Sequence, residues 1–266
     1  TQNINRSINK VAAGDYSVLV PKIGDNGDID RLIDNFNKMV KELNSVAVLR
    51  KDFITTFSHE FKTPIVSIKG YAELLRESEN LTDEQREYLT VIIDESKHLS
   101  TLAERTMLLS KLDSGSVSEA NEEFYLDEQL GRCAILLDSQ MTAKKINLSF
   151  SAEHVKITGK KDLLKEAWLN LTENAIKFAN PGTELTVKIE RDAHSVKVSF
   201  TDVGAVIPRD EIPRIFGKFY QADKSHKTQG NGIGLSMVKK ITELHFGKVD
   251  VISDLSATTF TVTLRQ

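Results

Sequence analysis

The sequence predicts a long helical hairpin followed by a mixed α/β domain. Apolar residues recur at spacings of mostly three or four over residues 46–78, the period of an amphipathic helix, and a second long helix carries apolar residues from Tyr88 to Leu112. Beyond residue 123, short alternating runs replace that pattern, as expected of strands in a layered domain. At 266 residues the chain is long enough for two folded parts and their connectors.

Composition argues against nucleic-acid binding, an internal disulfide and a membrane-spanning helix. The 35 Lys and Arg residues against 38 Asp and Glu give a net charge of −3, so bulk electrostatics do not predict nucleic-acid binding. The lone cysteine, Cys133, excludes an internal disulfide, and its apolar-periodic surroundings predict a buried structural thiol. No apolar run approaches the roughly 20 residues that a membrane-spanning helix needs.

Residues 1–45 show two short helical patterns around a connector rich in Gly, Asp and Pro. The long helix that follows is expected over residues 46–78. Thr82 is then a candidate N-cap for the second long helix, and Gln85, three residues on, completes a capping box.

Each long helix carries an apolar seam too wide for one partner helix to cover. The seam positions are Val46, Leu49, Phe53, Phe57, Phe61, Ile65, Ile68 and Leu75 in the first helix, and Tyr88, Ile92, Leu99, Leu102, Leu109 and Leu112 in the second. Pairing two hairpins would bury both seams in a four-helix bundle, so we expect a homodimer through residues 46–113.

The α/β part begins after a polar linker that opens at Ser114. The predicted strands are Ile146–Ser151, Leu185–Glu190, Val196–Thr201, Lys248–Ser253 and Thr258–Leu264, interleaved with helices near 127–143, 161–178 and 232–245. This order favours a predominantly antiparallel sheet with helices on one face.

One histidine lies in a pattern typical of an exposed nucleophile. Phe57 and Phe61 fall on the seam of the first helix, and His59 lies between them on the opposite face. A neutral imidazole, with an ordinary pKa of about 6.5, is a nucleophile at cellular pH. Glu60 beside it can take or orient the ring proton.

The residues after His59 extend this pattern. Thr63 lies four residues on, hence on the same helix face, where a hydroxyl can position a water for hydrolysis. Pro64 removes a backbone N–H and predicts a kink beside the histidine. Taken alone, the pattern is also compatible with chance on a solvated helix face.

Three downstream blocks favour nucleotide chemistry. In the first, a predicted helix places four residues on one polar flank: Asn170, Asn174, Lys177 and Phe178. Amide oxygens suit Mg²⁺, and lysine offers a point charge to phosphate. The alternative for this block is an ordinary amphipathic surface helix.

The second block is Asp202-Val203-Gly204 at a strand end. A carboxylate there can accept the exocyclic amine of adenine, and Gly204 would let the base approach the backbone. The third block places Gly230, Gly232 and Gly234 before Leu235, at the start of a helix whose backbone N–H groups can bind phosphate. It lacks the Gly-Lys-Ser/Thr of a P-loop, and the polar stretch 221–231 is typical of a mobile lid.

In this order, the blocks resemble the sensor histidine kinases of bacterial two-component systems. Residues 1–45 resemble the end of a HAMP signal-relay module, and residues 46–113 resemble the dimerisation and histidine-phosphotransfer domain, with the usual ending at Lys111–Gly115. After a linker at 114–123, residues 124–266 resemble the catalytic domain, an α/β sandwich of the Bergerat type shared with Hsp90-like ATPases.

The resemblance implies roles for these residues. His59 would accept a phosphoryl group from ATP, with Glu60 as general base and Thr63 assisting phosphatase activity. Asn174 would bind Mg²⁺ and Asp202 would read adenine. The nucleotide would be lined by Asn170, Asn174, Lys177, Phe178, Asp202, Gly204, Gly230, Gly232, Gly234 and Leu235. The implied partners are a response regulator receiver domain and an upstream sensor region in the membrane, with this chain as the cytoplasmic portion.

Two positions depart from the family pattern. Val206 stands where a second glycine is usual, and a positive φ there would strain the turn. Gln221 stands where arginine is common. Three functions therefore stay open: a histidine kinase, a protein that mainly dephosphorylates its regulator through Thr63, and a nucleotide-binding scaffold.

Overall fold

The chain forms two compact units, Thr1–Ser110 and Lys111–Gln266. The computed structural model describes residues 2–12, 15–21, 24, 27–115, 117, 120–221 and 231–265, and for residues 2–6, 28 and 46–60 it describes the backbone alone. Within the described residues, no helix is both long and apolar enough to span a membrane.

The described part of the first unit contains three helices, α1 (Gln2–Ala12), α2 (Asp28–Arg76) and α3 (Asp83–Asp113), the last of which runs on into the second unit. The second of the two helical patterns predicted within residues 1–45 and the long helix predicted from residue 46 are one continuous helix, α2, of 49 residues. The connector between α1 and α2 docks on α2 through Asn37, whose side-chain amide accepts from the Val20 N–H at 2.9 Å and donates to the Val20 carbonyl at 2.8 Å.

The predicted capping box at the start of α3 is confirmed. The Thr82 N–H donates to Gln85 Oε1 at 2.9 Å, and the Gln85 N–H donates to Thr82 Oγ1 at 3.2 Å. From the next turn, the Arg86 guanidinium donates to the carbonyls of Arg76 and Ser78, so α3 also caps the C-terminal end of α2.

The hairpin buries one stripe of apolar residues and leaves a second exposed. Ile65 and Ala72 of α2 and Ile93 of α3 are buried, whereas Ile92, predicted on the seam, is 42% exposed. The predicted seam residues Ile65, Leu109 and Leu112 are buried, so the prediction is wrong at Ile92, where the neighbouring Ile93 is buried instead. The exposed stripe includes Phe61, Ile68 and Leu75, spaced by seven, and Tyr88, Ile92 and Leu99.

The second unit is a five-stranded sheet with three helices and a separate two-stranded ribbon. Its elements are β1 (Glu122–Tyr125), α4 (Leu126–Lys144), β2 (Asn147–Ala152), β3 (Lys156–Gly159), α5 (Lys161–Phe178), β4 (Glu184–Asp192), β5 (Ser195–Asp202), α6 (Gly234–Leu244), β6 (Lys248–Ser253) and β7 (Thr258–Arg265). The sheet order is β2-β4-β5-β7-β6, antiparallel except for the β2–β4 pair, and β1 pairs with β3.

The predicted fold class of this unit is confirmed, and every predicted strand and helix ends within two residues of its observed position. The ribbon β1–β3 was not predicted, because four-residue strands are too short to show an alternating pattern. Cys133 is buried as expected, and burial raises the pKa of its thiol to about 11.

One face of the sheet holds the core. Alternate residues of β5, namely Val196, Val198 and Phe200, are fully buried beneath the helices. Trp168 of α5 stacks over Phe200 at 6.2 Å between ring centroids and donates its indole N–H to Gln129 of α4 at 2.9 Å. These contacts join α4, α5 and the sheet.

Phe246, in the turn between α6 and β6, combines a φ of 54° with 82% exposure. A left-handed backbone costs a non-glycine residue about 1–2 kcal/mol. We therefore expect Phe246→Gly to stabilise the second unit by about 0.5–1 kcal/mol, since added chain entropy in the unfolded state offsets part of the relief. Urea unfolding followed by the fluorescence of Trp168, the single tryptophan, measures this. Phe246→Ala is the control: it keeps the strained backbone, and an equal gain there would contradict the explanation.

Candidate functional site

The segment proposed to accept phosphate lies within α2. The helical backbone continues through Phe57–Pro64, but the side chains of His59 and Glu60 lie outside the described residues, so the exposure of His59 stays a prediction. Thr63 is exposed. Next to it, Lys62 forms an ion pair with Glu104 of α3 at 2.5 Å.

Asn170 links α5 to the start of α6. Its side chain is buried and donates from Nδ2 to the Glu166 carbonyl at 2.7 Å. A Cβ atom on Gly234 would lie 2.8 Å from Asn170 Oδ1. Glycine at 234 therefore allows the first turn of α6 to approach α5.

The rest of the predicted α5 flank is partly accessible. Lys177 places its ammonium 4.8 Å from the centroid of the Phe178 ring, a cation–π contact, and Phe178 is 37% exposed. Asn174 is half-buried, and among the described residues no hydrogen bond engages its amide. That amide is therefore available to a ligand or a hydrated cation.

Asp202 ends β5 as a buried carboxylate, 2% exposed. Its Oδ1 atom has no hydrogen-bond partner among the described residues. Burial raises the pKa of this carboxyl to about 6, against an opposing effect of the Lys144 ammonium. A buried polar atom without a partner is costly, and it is expected where a ligand supplies the partner.

The turn after Asp202 packs on the end of α5. A Cβ atom on Gly204 would lie 2.0 Å from the Phe178 carbonyl oxygen, which accepts the Ala205 N–H at 3.2 Å. Gly204 is therefore needed for packing against α5, a reason different from the predicted approach of a base. The strain considered for Val206 is absent, because its φ is not positive.

Sequence reasoning missed Lys144, in the last turn of α4. Its ammonium donates to the carbonyls of Ile176, Lys177 and Ala179 at 2.8, 2.6 and 3.2 Å. The acceptors lie 32 to 35 residues further along the chain, so no local pattern could have identified this contact.

The glycine block lies at the N-terminal end of α6. Gly230, Lys224 and Lys227 fall outside the described residues. Gly232 has a φ of 64°, and a Cβ atom there would lie 2.6 Å from the carbonyl carbon of Phe219. The first residue of α6 is Gly234, and Leu235 is half-buried. The N-cap residue of this helix, Ile233, forms no side-chain capping hydrogen bond, so among the described residues the N–H groups of this end are available to an anion.

The aromatic segment, residues 214–220, precedes the glycine block and contacts the sheet through Phe216. Phe216 packs edge-on against Phe260 of β7 at 6.4 Å, and the Arg214 guanidinium lies 5.0 Å from the Tyr220 ring centroid. Phe219 is 60% exposed with a φ of 59°. Lys218 forms an ion pair with Asp113, the last residue of α3.

Together these residues provide complementary groups for a purine nucleotide. Asp202 offers a buried acceptor, the α6 N-terminus offers N–H donors for phosphate, and Asn174 offers an amide oxygen of the kind Mg²⁺ accepts. All three lie in the second unit.

Comparison with known proteins agrees with this chemistry. Residues 159–266 match the family of histidine kinase-, DNA gyrase B- and HSP90-like ATPases, and residues 49–115 match the His Kinase A phospho-acceptor domain. The chain is 29% identical over 269 residues to the heme sensor protein HssS of Staphylococcus saprophyticus, covering 100% of this chain and 57% of that protein.

Other relatives are of the same kind. The sensor histidine kinase CusS of Escherichia coli K12 is 24% identical over 265 residues, covering 99% of this chain and 55% of that protein. The crystal structure of full-length ShkA in complex with AMPPNP is similar with a TM-score of 0.70 at 26% identity, covering 80% of this chain and 45% of that one. The chain thus spans about half the length of the curated relatives it matches. On these matches and this fold, the chain belongs to the sensor histidine kinases of two-component systems.

Proposed function

We propose that this chain is an ATP-dependent histidine kinase that phosphorylates its own His59. The buried Asp202 carboxylate, whose Oδ1 atom has no hydrogen-bond partner among the described residues, carries the proposal as a candidate adenine acceptor. The N-terminus of α6, in the same unit, provides N–H groups for phosphate. At neutral pH a carboxyl with a pKa of about 6 is mostly ionised and can accept the adenine amine.

In the chemical step, an imidazole nitrogen of neutral His59 attacks the γ-phosphorus of ATP. The new N–P bond forms as the bond to the β,γ-bridging oxygen breaks, ADP leaves, and Glu60 accepts the ring proton. An aspartate of a response regulator receiver domain then attacks the same phosphorus, and the N–P bond breaks. Mg²⁺ held by Asn174 would neutralise phosphate charge during transfer.

The exposed stripe of the hairpin supports a homodimer through residues 46–113. Phe61, Ile68 and Leu75 recur every seven residues on α2, the spacing of a bundle seam, and all are roughly half exposed. A second copy would cover them. We further propose an upstream sensor region in the membrane, with this chain as its cytoplasmic portion, since relatives named as sensors are almost twice as long as this chain. We place the domain boundaries at 1–45, 46–113, 114–123 and 124–266.

A second activity is favoured by Thr63. Its exposure, one turn after His59 on α2, suits a hydroxyl that positions a water against a phosphorylated regulator. We therefore include dephosphorylation of the regulator in the proposal. The absence of left-handed strain at Val206 weakens the case for a mere scaffold.

Labelling with γ-³²P-ATP and Mg²⁺ tests the kinase proposal. We expect acid-labile, base-stable label on the wild type and none on His59→Ala, because the acceptor nitrogen is gone. Asn174→Ala should reduce the rate on the order of 100-fold, the usual effect of losing one electrostatic contact to the reacting group. The matched control is His98→Ala on α3, which should label normally. Label on His59→Ala would place the acceptor elsewhere, and a wild type that does not bind ATP would refute the pocket.

Replacing Asp202 by Asn should weaken ATP binding while stabilising the fold. Losing a charge-assisted hydrogen bond is expected to lower affinity roughly 10–100-fold. The raised pKa means that the folded protein holds this proton more tightly than the unfolded chain, so the carboxyl destabilises the fold as the pH rises from about 4 through 6. Asp202→Asn should therefore gain about 3 kcal/mol at pH 7.5 and about 1 kcal/mol at pH 4.5.

Isothermal titration with ATP and urea unfolding at the two pH values measure both effects. Asp250→Asn, an exposed carboxylate on β6, controls for the loss of one charge. A stability gain that is equal at pH 4.5 and 7.5 would contradict the assigned cause.

A further inference from the structure

The C-terminal end of α5 has all four of its last carbonyls satisfied, although a helix end normally leaves four without partners. The Ala175 carbonyl accepts the Ala179 N–H at 2.9 Å, and the Phe178 carbonyl accepts the Ala205 N–H at 3.2 Å. The other two, from Ile176 and Lys177, accept from the ammonium of Lys144. This single side chain therefore closes the helix end that carries Phe178.

Two negative features meet at this place. A helix C-terminus carries a partial negative charge of about half an electron, and the Asp202 carboxylate is buried near it through the Gly204–Ala205 turn. The strand neighbours of Asp202, Leu185 on β4 and Thr258 on β7, carry no charge. Among the described residues, the Lys144 ammonium acts on the Asp202 carboxyl and lowers its pKa, against the larger effect of burial.

We propose that Lys144 is a positioning residue of the nucleotide site, which holds the α5 end in place and keeps Asp202 an anion that accepts the adenine amine. This inference rests on the proposed function and adds a residue from α4 that does not itself touch the nucleotide. A purely structural cap would need hydrogen-bond donors alone. The proposed role also needs the positive charge.

Substitutions at Lys144 separate the two requirements. Lys144→Gln keeps a donor for the carbonyls but removes the charge, whereas Lys144→Arg keeps both. Lys144→Met removes both. Lys188→Met, an exposed lysine on β4, is the matched control for net charge.

The first measurement is the affinity of the full chain for AMPPNP with Mg²⁺ between pH 5.5 and 8.5. The wild type should lose affinity as the pH falls through about 6, where Asp202 gains a proton. In Lys144→Gln this loss should begin roughly one pH unit higher, since a nearby opposite charge shifts a carboxyl pKa by about 1–3 units. Lys144→Arg should restore the wild-type profile. The ligand titrates identically in all variants, so the comparison isolates the protein.

The second measurement follows the Asp202 carboxyl by ¹³C NMR without nucleotide, with Asp202→Asn to assign the signal. An upward shift in its titration in Lys144→Gln, reversed in Lys144→Arg and absent in Lys188→Met, supports the proposal. Identical titrations in wild type and Lys144→Gln would overturn it. If Lys144→Met does not fold, the Gln and Arg variants decide the question.

The two measurements distinguish a failure of the proposed function from a failure of the role proposed for Lys144. A wild type that does not bind AMPPNP refutes the proposed function, while the NMR titration still tests the effect of Lys144 on Asp202. Normal binding with an unchanged pH profile in Lys144→Gln refutes the role of Lys144 and leaves the kinase proposal intact.

Discussion

The backbone carbonyls at the C-terminal end of α5 constrain most of what surrounds the nucleotide site. Buried carbonyls must find donors, and the local chain supplies only the N–H of Ala179. The remaining donors come from Lys144 on α4 and from Ala205 in the turn after β5. The hydrogen bonds to these carbonyls therefore bring α4 and the turn that follows Asp202 at the end of β5 to the end of α5. The N-terminal end of α5 is hydrogen-bonded to the end of α6, because His245 Nε2 accepts the Lys160 N–H at 2.9 Å.

The glycines that suggest a phosphate site are also required for the packing of the elements around it. Gly204, Gly232 and Gly234 each lie so close to a neighbouring backbone or side chain that a Cβ atom would clash. Their pattern suggests phosphate binding, but the immediate physical need is close approach of α5, α6 and the aromatic segment. The close packing also leaves the α6 N-terminus and the Asp202 carboxylate oriented before any ligand arrives. Such preorganisation is what electrostatic recognition requires.

The hairpin obeys a different constraint. Two helices can cover only one stripe of each other, and α2 and α3 use Ile65, Ala72 and Ile93 for that contact. A second apolar stripe at seven-residue spacing remains accessible. The capping box at Thr82 and the Arg86 contacts hold the turn that joins the two helices. These hydrogen bonds join the end of α2 to the start of α3, and a second hairpin could cover the accessible stripe in the proposed four-helix bundle.

Local features of the chain were predictable from sequence because they depend on neighbours within a few residues. The periods of apolar residues located every helix of three or more turns and every strand of six or more residues. Thr82 with Gln85 identified the start of α3. The motif around Asp202 likewise indicated a candidate nucleotide site, which stays a prediction. Contacts between distant segments were not predictable. The β1–β3 ribbon, the burial of Ile93 in place of Ile92, and the Lys144 contacts 32 to 35 residues away depend on how whole elements pack. The chain's local preferences thus specify its elements, whereas the packing of distant elements decides that the charge of Lys144 acts on Asp202.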